Sequence, residues 1–156
     1  MLNLTIICVT NKRVEFLENT ESLLLGAVGN NVFNSKYLKC DQNDNIFFKE
    51  KYYSELTFQY WFWKNKLHSL NDSDWLGFCQ RRRYWIKKGV LKDNININNL
   101  KNFILLELPE SWKDYNSVIC EPIYVNGVNK VKLLKRGFKS LIQDPDIFFK
   151  IGRAHV

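Results

Sequence analysis

The stretch SELTFQYWFWKNKL at residues 54–67 predicts a long helix, around which the rest of the fold can be arranged. Ser54 is a candidate N-cap, and Glu55 falls in the first turn, where the helix dipole favours a negative charge. One continuous apolar stripe is predicted from the helical spacing of Leu56, Tyr60, Trp63 and Leu67. Further aromatic residues widen the apolar surface well beyond this stripe. We therefore expect a core helix that is packed on two sides.

Short apolar runs on either side of this helix predict strands. NLTIICVT (3–10), WLGFC (75–79) and FILLEL (103–108) have the pattern of buried strands, whereas LLLGAV within 19–32 is predicted to lie in a loop or turn. The arms around Asn126-Gly127 predict a β-hairpin over 118–134, and 135–149 predicts the start of another helix. Strands interleaved with a long helix indicate an α/β fold with a mixed sheet and flanking helices.

The composition limits the class of protein. The chain has 156 residues, of which 46% are hydrophobic and 15% aromatic, so it has enough apolar side chains for a substantial core. No run approaches about 18 apolar residues, the length of a membrane-spanning helix. The opening MLNLTIICVT is interpreted as a first strand and not as a secretory signal.

Cysteine and histidine usage argues against a zinc ribbon or a disulfide framework. Cys8, Cys40, Cys79 and Cys120 are widely spaced, with no C-x-x-C pair, which is typical of free thiols in a reducing, cytoplasmic compartment. The only histidines are His68 and His155, so this chain cannot assemble a multi-histidine metal site.

The net charge of +7 is concentrated in two clusters. Residues 81–92 carry six lysines and arginines, residues 130–139 carry five, and neither segment contains an acid. Such clusters favour an anionic partner, which could be nucleic acid, a membrane surface or a phosphate-bearing small molecule, although solvated basic faces are common.

The last six residues, IGRAHV, differ in character from the Asn-, Lys-, Ile- and Phe-rich chain before them. They hold one of the only two alanines, and they match the translation of a common sequencing-library adapter, ATC GGA AGA GCA CAC GTC. We therefore interpret residues 1–150 as the N-terminal part of a longer domain and 151–156 as a non-native tail.

The consecutive Arg81, Arg82 and Arg83 directly follow the predicted strand 75–79. Ligands bind at the carboxyl ends of strands in open α/β sheets, and guanidinium groups match phosphate in a bidentate way. Tyr84 and Trp85 could stack a base or sugar while the arginines stabilise a nucleoside-diphosphate leaving group. The alternative is that the arginines alternate between faces and pair with acids such as Glu50, Glu55 or Asp74.

The carboxylates give a weaker indication of the chemistry. Glu55 shares a narrow polar face with Gln59, where it could orient Arg82 or Arg83 or act as a base. Asp144 and Asp146 form a D-P-D sequence that only superficially resembles an aspartate-x-aspartate metal motif.

Four segments together resemble a bacterial family, the domain of unknown function 4422. They are VTNK (9–12), DNI (44–46), SELTFQYWFWKN (54–65) and LGFCQRRRYW (76–85). The positions that match the family's pattern are Asn45, Glu55, Leu56, Thr57, Tyr60, Trp61, Trp63, Lys64, Asn65, Gly77, Cys79, Arg82, Arg83 and Tyr84. The resemblance spans residues 4–86. Where the family usually has histidine and tyrosine, this chain has Gln80 and Arg81, and Gln80 cannot serve as a general base.

The resemblance implies a glycosyltransferase of the GT-A type with a Rossmann-like core, acting in capsular or surface polysaccharide synthesis. It implies a nucleotide-sugar donor, a glycan or lipid-linked acceptor, contact with the inner face of the membrane, and a divalent metal (Mg²⁺ or Mn²⁺), for which no ligand pair is evident. Arg82 and Arg83 would hold the donor diphosphate, with Asn45, Glu55 and Tyr84 shaping the pocket, and Glu55, Arg82 and Arg83 would be the catalytic group.

Two alternatives to a complete enzyme remain open at this point. One is a non-catalytic module that binds anions or glycans, including nucleic acid, whose binding would fall steeply with salt. No recognised nucleic-acid-binding motif is present, so nucleic acid is not the expected partner. The other is an acceptor-recognition unit that binds glycans without hydrolysing a donor.

Overall fold

A computed structural model describes residues 3–20, residues 23–120, and Lys135, Phe138 and Ile142. The chain divides into two compact units, Met1–Asn116 and Ser117–Val156. In the second unit, Lys135, Phe138 and Ile142 are helical and exposed, in the segment for which a helix is predicted. Most of the predicted hairpin at 118–134, the remainder of that helix and the 151–156 tail lie outside the described residues.

The described residues of the first unit form four strands and four short or medium α-helices. The strands are β1 (Leu4–Thr10), β2 (Leu24–Ala27), β3 (Tyr37–Lys39) and β4 (Trp75–Gln80). The α-helices are α1 (Glu15–Glu18), α2 (Glu50–Tyr53), α3 (Leu56–Asn65) and α4 (Leu100–Phe103). Single 3₁₀ turns occur at Phe47–Lys49, Leu67–Ser69, Lys92–Asn94 and Glu110–Trp112.

The four strands form one parallel sheet in the order β3-β2-β1-β4. β1 lies at the centre, where Cys8 pairs with Leu25 on one side and with Cys79 on the other. The chain moves outward from β1 to β2 to β3 and then crosses to the opposite side of β1 to form β4. This reversal creates a topological switch point at the carboxyl ends of β1 and β4, the position where open α/β sheets bind ligands.

Successive residues of β1 point to opposite faces of the sheet, and each face has its own core. Ile6 and Cys8 belong to a cluster that includes Leu17, Ile104 and Leu105. Ile7 and Val9 belong to the other cluster, with Val28, Cys40, Phe58, Trp61 and Phe62. Helix α3 therefore packs on the second face.

Gly26 of β2 shows how closely α3 approaches the sheet. A Cβ atom at this position would lie 2.7 Å from the Phe58 ring, closer than side chains pack. The absence of a side chain at Gly26 is what allows Phe58 to be fully buried against β2.

Helix α3 confirms the predicted helix, but two details of the prediction are wrong. Its buried residues are Thr57, Phe58, Trp61 and Phe62, whereas Leu56, Trp63 and Leu67 of the predicted stripe are exposed. The helix is apolar on both sides, so periodicity could not select the side that meets the sheet. Ser54 is also not the N-cap: it ends α2 with a φ of 48°, and Glu55 occupies the cap position.

Two other segments also differ from their predictions. LLLGAV contains strand β2 and is not a loop. Leu24–Ala27 pairs in parallel with β1 on one side and with β3 on the other. FILLEL is not a strand: helix α4 ends at Phe103, and only Ile104 makes an isolated bridge, to Ile86. Its apolar residues reach the core as an extended segment, with Ile104 and Leu105 buried.

The α/β, Rossmann-like fold class is confirmed by the parallel sheet and its flanking helices. The described strands are all parallel, and the hairpin that would make the sheet mixed lies largely beyond them. Within the described part of the chain, no helix has the length and apolar character needed to cross a membrane.

Candidate anion-binding cleft

Strand β4 ends in a tight turn that carries the arginines. The Arg83 N–H donates to the Gln80 carbonyl at 2.9 Å, and the Gln80 N–H donates to the Arg83 carbonyl at 3.1 Å. The Tyr84 hydroxyl donates a further hydrogen bond to the Arg81 carbonyl at 2.6 Å. These bonds fix the backbone of the turn, which carries the arginine side chains at the switch point.

A cleft of about 820 Å³ opens beside this turn, within the size range of small-molecule sites. It is formed by three segments that are distant in sequence. The first follows β1 and contributes Arg13, Glu15 and Phe16, the second is the turn with Arg81 and Arg82, and the third is the 97–101 segment with Lys101.

The residues that line the cleft carry a net positive charge, which the Glu18 carboxylate partly offsets at Arg13. Four cationic side chains line the cleft, Arg13, Arg81, Arg82 and Lys101, against the single carboxylate of Glu15. Arg82 and Lys101 are exposed and Arg81 is half-buried, so the donors remain accessible to a ligand. Converging cations in a concave site raise the local concentration of anions and offer several charge-assisted hydrogen bonds to one phosphate group.

Arg13 is held beside the cleft by Glu18. Its Nε and Nη2 atoms donate to the two carboxylate oxygens of Glu18 at 2.9 and 2.8 Å. Asn34 and the Tyr37 hydroxyl also donate to this carboxylate, at 2.7 and 3.2 Å. These hydrogen bonds, led by that of Arg13, lower the pKa of Glu18 from 4.5 to about 2. The Tyr37 oxygen in turn accepts the Val14 N–H at 2.8 Å, which fixes the loop after β1.

Of the residues predicted to bind the donor, Arg82 lines this cleft, together with the neighbouring Arg81. Arg83 is exposed but is not among the lining residues. Tyr84 is half-buried, packs edge-on against Phe16 with ring centroids 6.3 Å apart, and supports the turn from beneath. Burial raises the pKa of its hydroxyl, which therefore stays protonated as a hydrogen-bond donor.

Asn45 and Glu55 lie on other elements and do not line the cleft. The Asn45 side chain closes a local turn, because its Oδ1 accepts the Phe47 N–H at 3.0 Å and its Nδ2 donates to the Asn43 carbonyl at 2.8 Å. Glu55 is half-buried at the start of α3, where its carbonyl accepts the Phe58 N–H at 3.1 Å. Their roles in binding or catalysis stay predictions.

The arginines of the turn do not pair with the acids that the sequence suggested as alternatives. No ion pair joins Arg81, Arg82 or Arg83 to Glu50, Glu55 or Asp74, all of which belong to the described residues. Asp74 instead accepts hydrogen bonds from Asn3 and Asn71.

Arg13, Glu15 and Lys101 are cleft residues that the sequence analysis missed. Lysine and arginine directly after a first buried strand would have been a signal for Arg13, since the end of β1 is a ligand-binding position in this fold class. No sequence signal of this kind marked Lys101, because its position in the cleft depends on how the 97–101 segment returns to the sheet.

The side chains in and around the cleft do not fit a protein-held divalent metal. Across residues 3–20 and 23–120, no group of three histidine, cysteine or acidic side chains could hold a metal ion. Glu15 is the one carboxylate among the lining residues, and the Glu18 carboxylate already accepts hydrogen bonds from Arg13, Asn34 and Tyr37, whereas Mg²⁺ and Mn²⁺ sites need several oxygen ligands.

A parallel sheet with a switch point, and a cationic cleft at that point, define a Rossmann-like α/β protein with a candidate site for an anion. More specifically, the chain belongs to the family described as "Domain of unknown function (DUF4422)", whose model matches residues 5–139. The match extends well beyond residue 86, the limit of the resemblance noted from the sequence. No curated protein and no solved structure is significantly similar to this chain.

Proposed function

We propose that this protein is a glycosyltransferase that takes a sugar from a nucleotide-sugar donor during synthesis of a bacterial capsular or surface polysaccharide. The observation that carries the proposal is the convergence of Arg13, Arg81, Arg82 and Lys101 on a cleft at the switch point. This is the position and the charge that a nucleoside diphosphate requires. The family resemblance supplies the link to polysaccharide synthesis.

The chemistry follows from the charges of the cleft. When the bond between the sugar and the diphosphate breaks, negative charge develops on the leaving phosphate, and guanidinium groups already in place stabilise it. Arg81 and Arg82 are the residues we assign to this role, and Arg13, which Glu18 holds, lines the same cleft. Glu15 would accept hydrogen bonds from sugar or ribose hydroxyls.

For the acceptor we propose a glycan or a lipid-linked molecule, as the family resemblance implies. A glycan or lipid-linked acceptor at the inner face of the membrane would place the protein in the cytoplasm, where nucleotide sugars are available. Glu55 remains a candidate base and Arg83 a candidate donor ligand, both carried by the resemblance and not by the geometry of the cleft.

Donor binding can be measured by thermal unfolding of the chain with UDP, GDP and a panel of their sugar conjugates. A ligand at about 100 times its Kd should stabilise the fold by about 2.7 kcal/mol. Release of nucleoside diphosphate in the presence of a glycan acceptor would then measure transfer.

The outcomes separate the proposed enzyme from its alternatives. Binding with transfer supports the glycosyltransferase. Binding of sugar nucleotides without any release of diphosphate would favour the non-catalytic module. Absence of stabilisation by every nucleotide, together with salt-sensitive binding of nucleic acid, would refute the proposal.

A further inference from the structure

A second surface of the first unit is rich in exposed aromatic and apolar side chains. It lies on the 3₁₀ turns Phe47–Lys49 and Leu67–Ser69 and on helices α2 and α3. Its apolar members are Phe48, Tyr52, Tyr53, Leu56, Trp63 and Leu67. Together with four lysines named below, they form what we call the aromatic–lysine surface. Four of the six exposed aromatic residues in the described part of the chain fall within residues 48–63.

On α3, this surface is the side opposite the core. Leu56 and Trp63 are seven residues apart and share one side of the helix, whereas Phe58 and Trp61 point into the sheet. Trp63 is 56% exposed, although a tryptophan of a folded protein is usually well buried. Clustered exposure of this kind marks a surface that meets something other than water.

Lysines alternate with these aromatic residues. Lys49, Lys51, Lys64 and Lys66 are all exposed. The Lys64 Nζ lies 4.1 Å from the centre of the Trp63 ring, and the Lys49 and Lys51 amines lie 5.4 and 5.8 Å from the rings of Phe48 and Tyr52. Every cation–π pair among the described residues involves a lysine of this surface.

The acids of the same segment are less accessible than the lysines. Glu50 and Glu55 are half-buried, and the Glu50 carboxylate lies near Gly29, just beyond the end of β2. Asp44 is exposed and accepts a hydrogen bond from the Tyr60 hydroxyl of α3 at 3.1 Å. The surface therefore presents more accessible positive than negative charge.

We propose that the aromatic–lysine surface docks on an anionic lipid membrane. Tryptophan and tyrosine prefer the headgroup region, and lysine amines reach the lipid phosphates while their stems stay against the apolar surface. Aromatic residues interleaved with lysine are the pattern of helices that lie in a membrane interface. A protein interface would instead be depleted of lysine. The inference does not rest on the proposed transferase activity.

Sedimentation of the chain with vesicles tests this proposal. We expect binding to equimolar phosphatidylglycerol and phosphatidylcholine, weaker binding to phosphatidylcholine alone, and a blue shift of tryptophan emission on binding. Neutralising Lys49 and Lys51 to glutamine should weaken binding about fivefold per lysine at low salt. Tyr52→Ser with Trp63→Ser should weaken it by more than about tenfold.

A control variant changes one exposed tyrosine and one exposed lysine elsewhere in the chain. Tyr115 and Lys88 are exposed and lie off this surface, so Tyr115→Ser with Lys88→Gln should bind vesicles like the wild type. All of these side chains are exposed, so the variants should keep their thermal midpoints, which checks that each one folds.

Three results would overturn the proposal. The first is absence of binding to anionic vesicles at low salt, and the second is equal binding by the surface variants and the control. The third is concentration-dependent self-association that Trp63→Ser abolishes, which would show that a second copy of the chain covers the surface. None of these results bears on whether the cleft binds nucleotide sugars.

Discussion

Replacing Arg82 by alanine is the sharpest test of the cleft. Arg82 lines the cleft and is exposed, so its side chain contributes little to folding and is free to bind a ligand. A charge-assisted hydrogen bond to a phosphate contributes about 1.5 to 3 kcal/mol, and partial screening by solvent lowers this to about 1 to 2 kcal/mol. We therefore expect the Kd for a nucleoside diphosphate to rise about five- to thirtyfold.

The assay is isothermal titration of wild type and Arg82→Ala with the nucleotide that stabilises the chain most. Lys88→Ala is the matched control, because Lys88 is an exposed cation of the same basic cluster that does not line the cleft. Unchanged affinity in Arg82→Ala, with an unchanged thermal midpoint, would refute the role of the cleft in donor binding.

The neighbouring arginines distinguish the sequence prediction from the geometry. The resemblance implies that Arg82 and Arg83 bind the donor diphosphate, whereas Arg81 and Arg82 line the cleft. If the geometry governs binding, Arg81→Ala should weaken affinity at least as much as Arg82→Ala, and Arg83→Ala should weaken it less. The reverse order would show that the family pattern identifies the ligands better than the cleft does.

Three further predictions concern the support of the cleft and the core. The first uses Glu18, whose pKa is lowered from 4.5 to about 2. The stability that the wild type gains over Glu18→Gln should be complete above about pH 4.5 and be lost as the pH falls toward 2. Urea unfolding of both proteins across this range measures the difference, and a difference that does not change with pH would contradict the prediction. Gly26→Ala should destabilise the fold by about 1 to 3 kcal/mol, because its Cβ would overlap the Phe58 ring, and an unchanged urea midpoint would contradict this. Tyr84→Phe removes the bond to the Arg81 carbonyl and should lower the free energy of unfolding by about 0.5 to 1.5 kcal/mol, measured in the same way; no loss would mean that the hydroxyl does not hold the turn.

Much of the local structure could be predicted from the sequence. The strands at 3–10 and 75–79 and the helix at 54–67 have patterns that arise from short-range preferences, and each one is present. The position of the arginines at the end of a strand was also correct, since it needs only the strand and the next few residues. The short strand β2 was missed because glycine and alanine in a four-residue segment give a weak local signal.

The candidate site was only partly predictable, because it depends on contacts between distant segments. Arg82 was identified from its neighbours along the chain. Arg13 and Lys101 reach the same cleft only through the strand order and the return of the 97–101 segment. Asn45 and Glu55 matched a family pattern, but one closes a local turn and the other lies at the start of α3.

Residue order alone settled the positions of β1, β4 and α3 and which basic residues follow β4, since these depend on the chemistry of near neighbours. Two outcomes required the packed sheet. One is the side of α3 that is buried, which the fit of Phe58 over Gly26 selects between two apolar faces. The other is the assembly of four cations around one cleft, because charges from separate segments come together only when the parallel strands bring their carboxyl ends to the same edge.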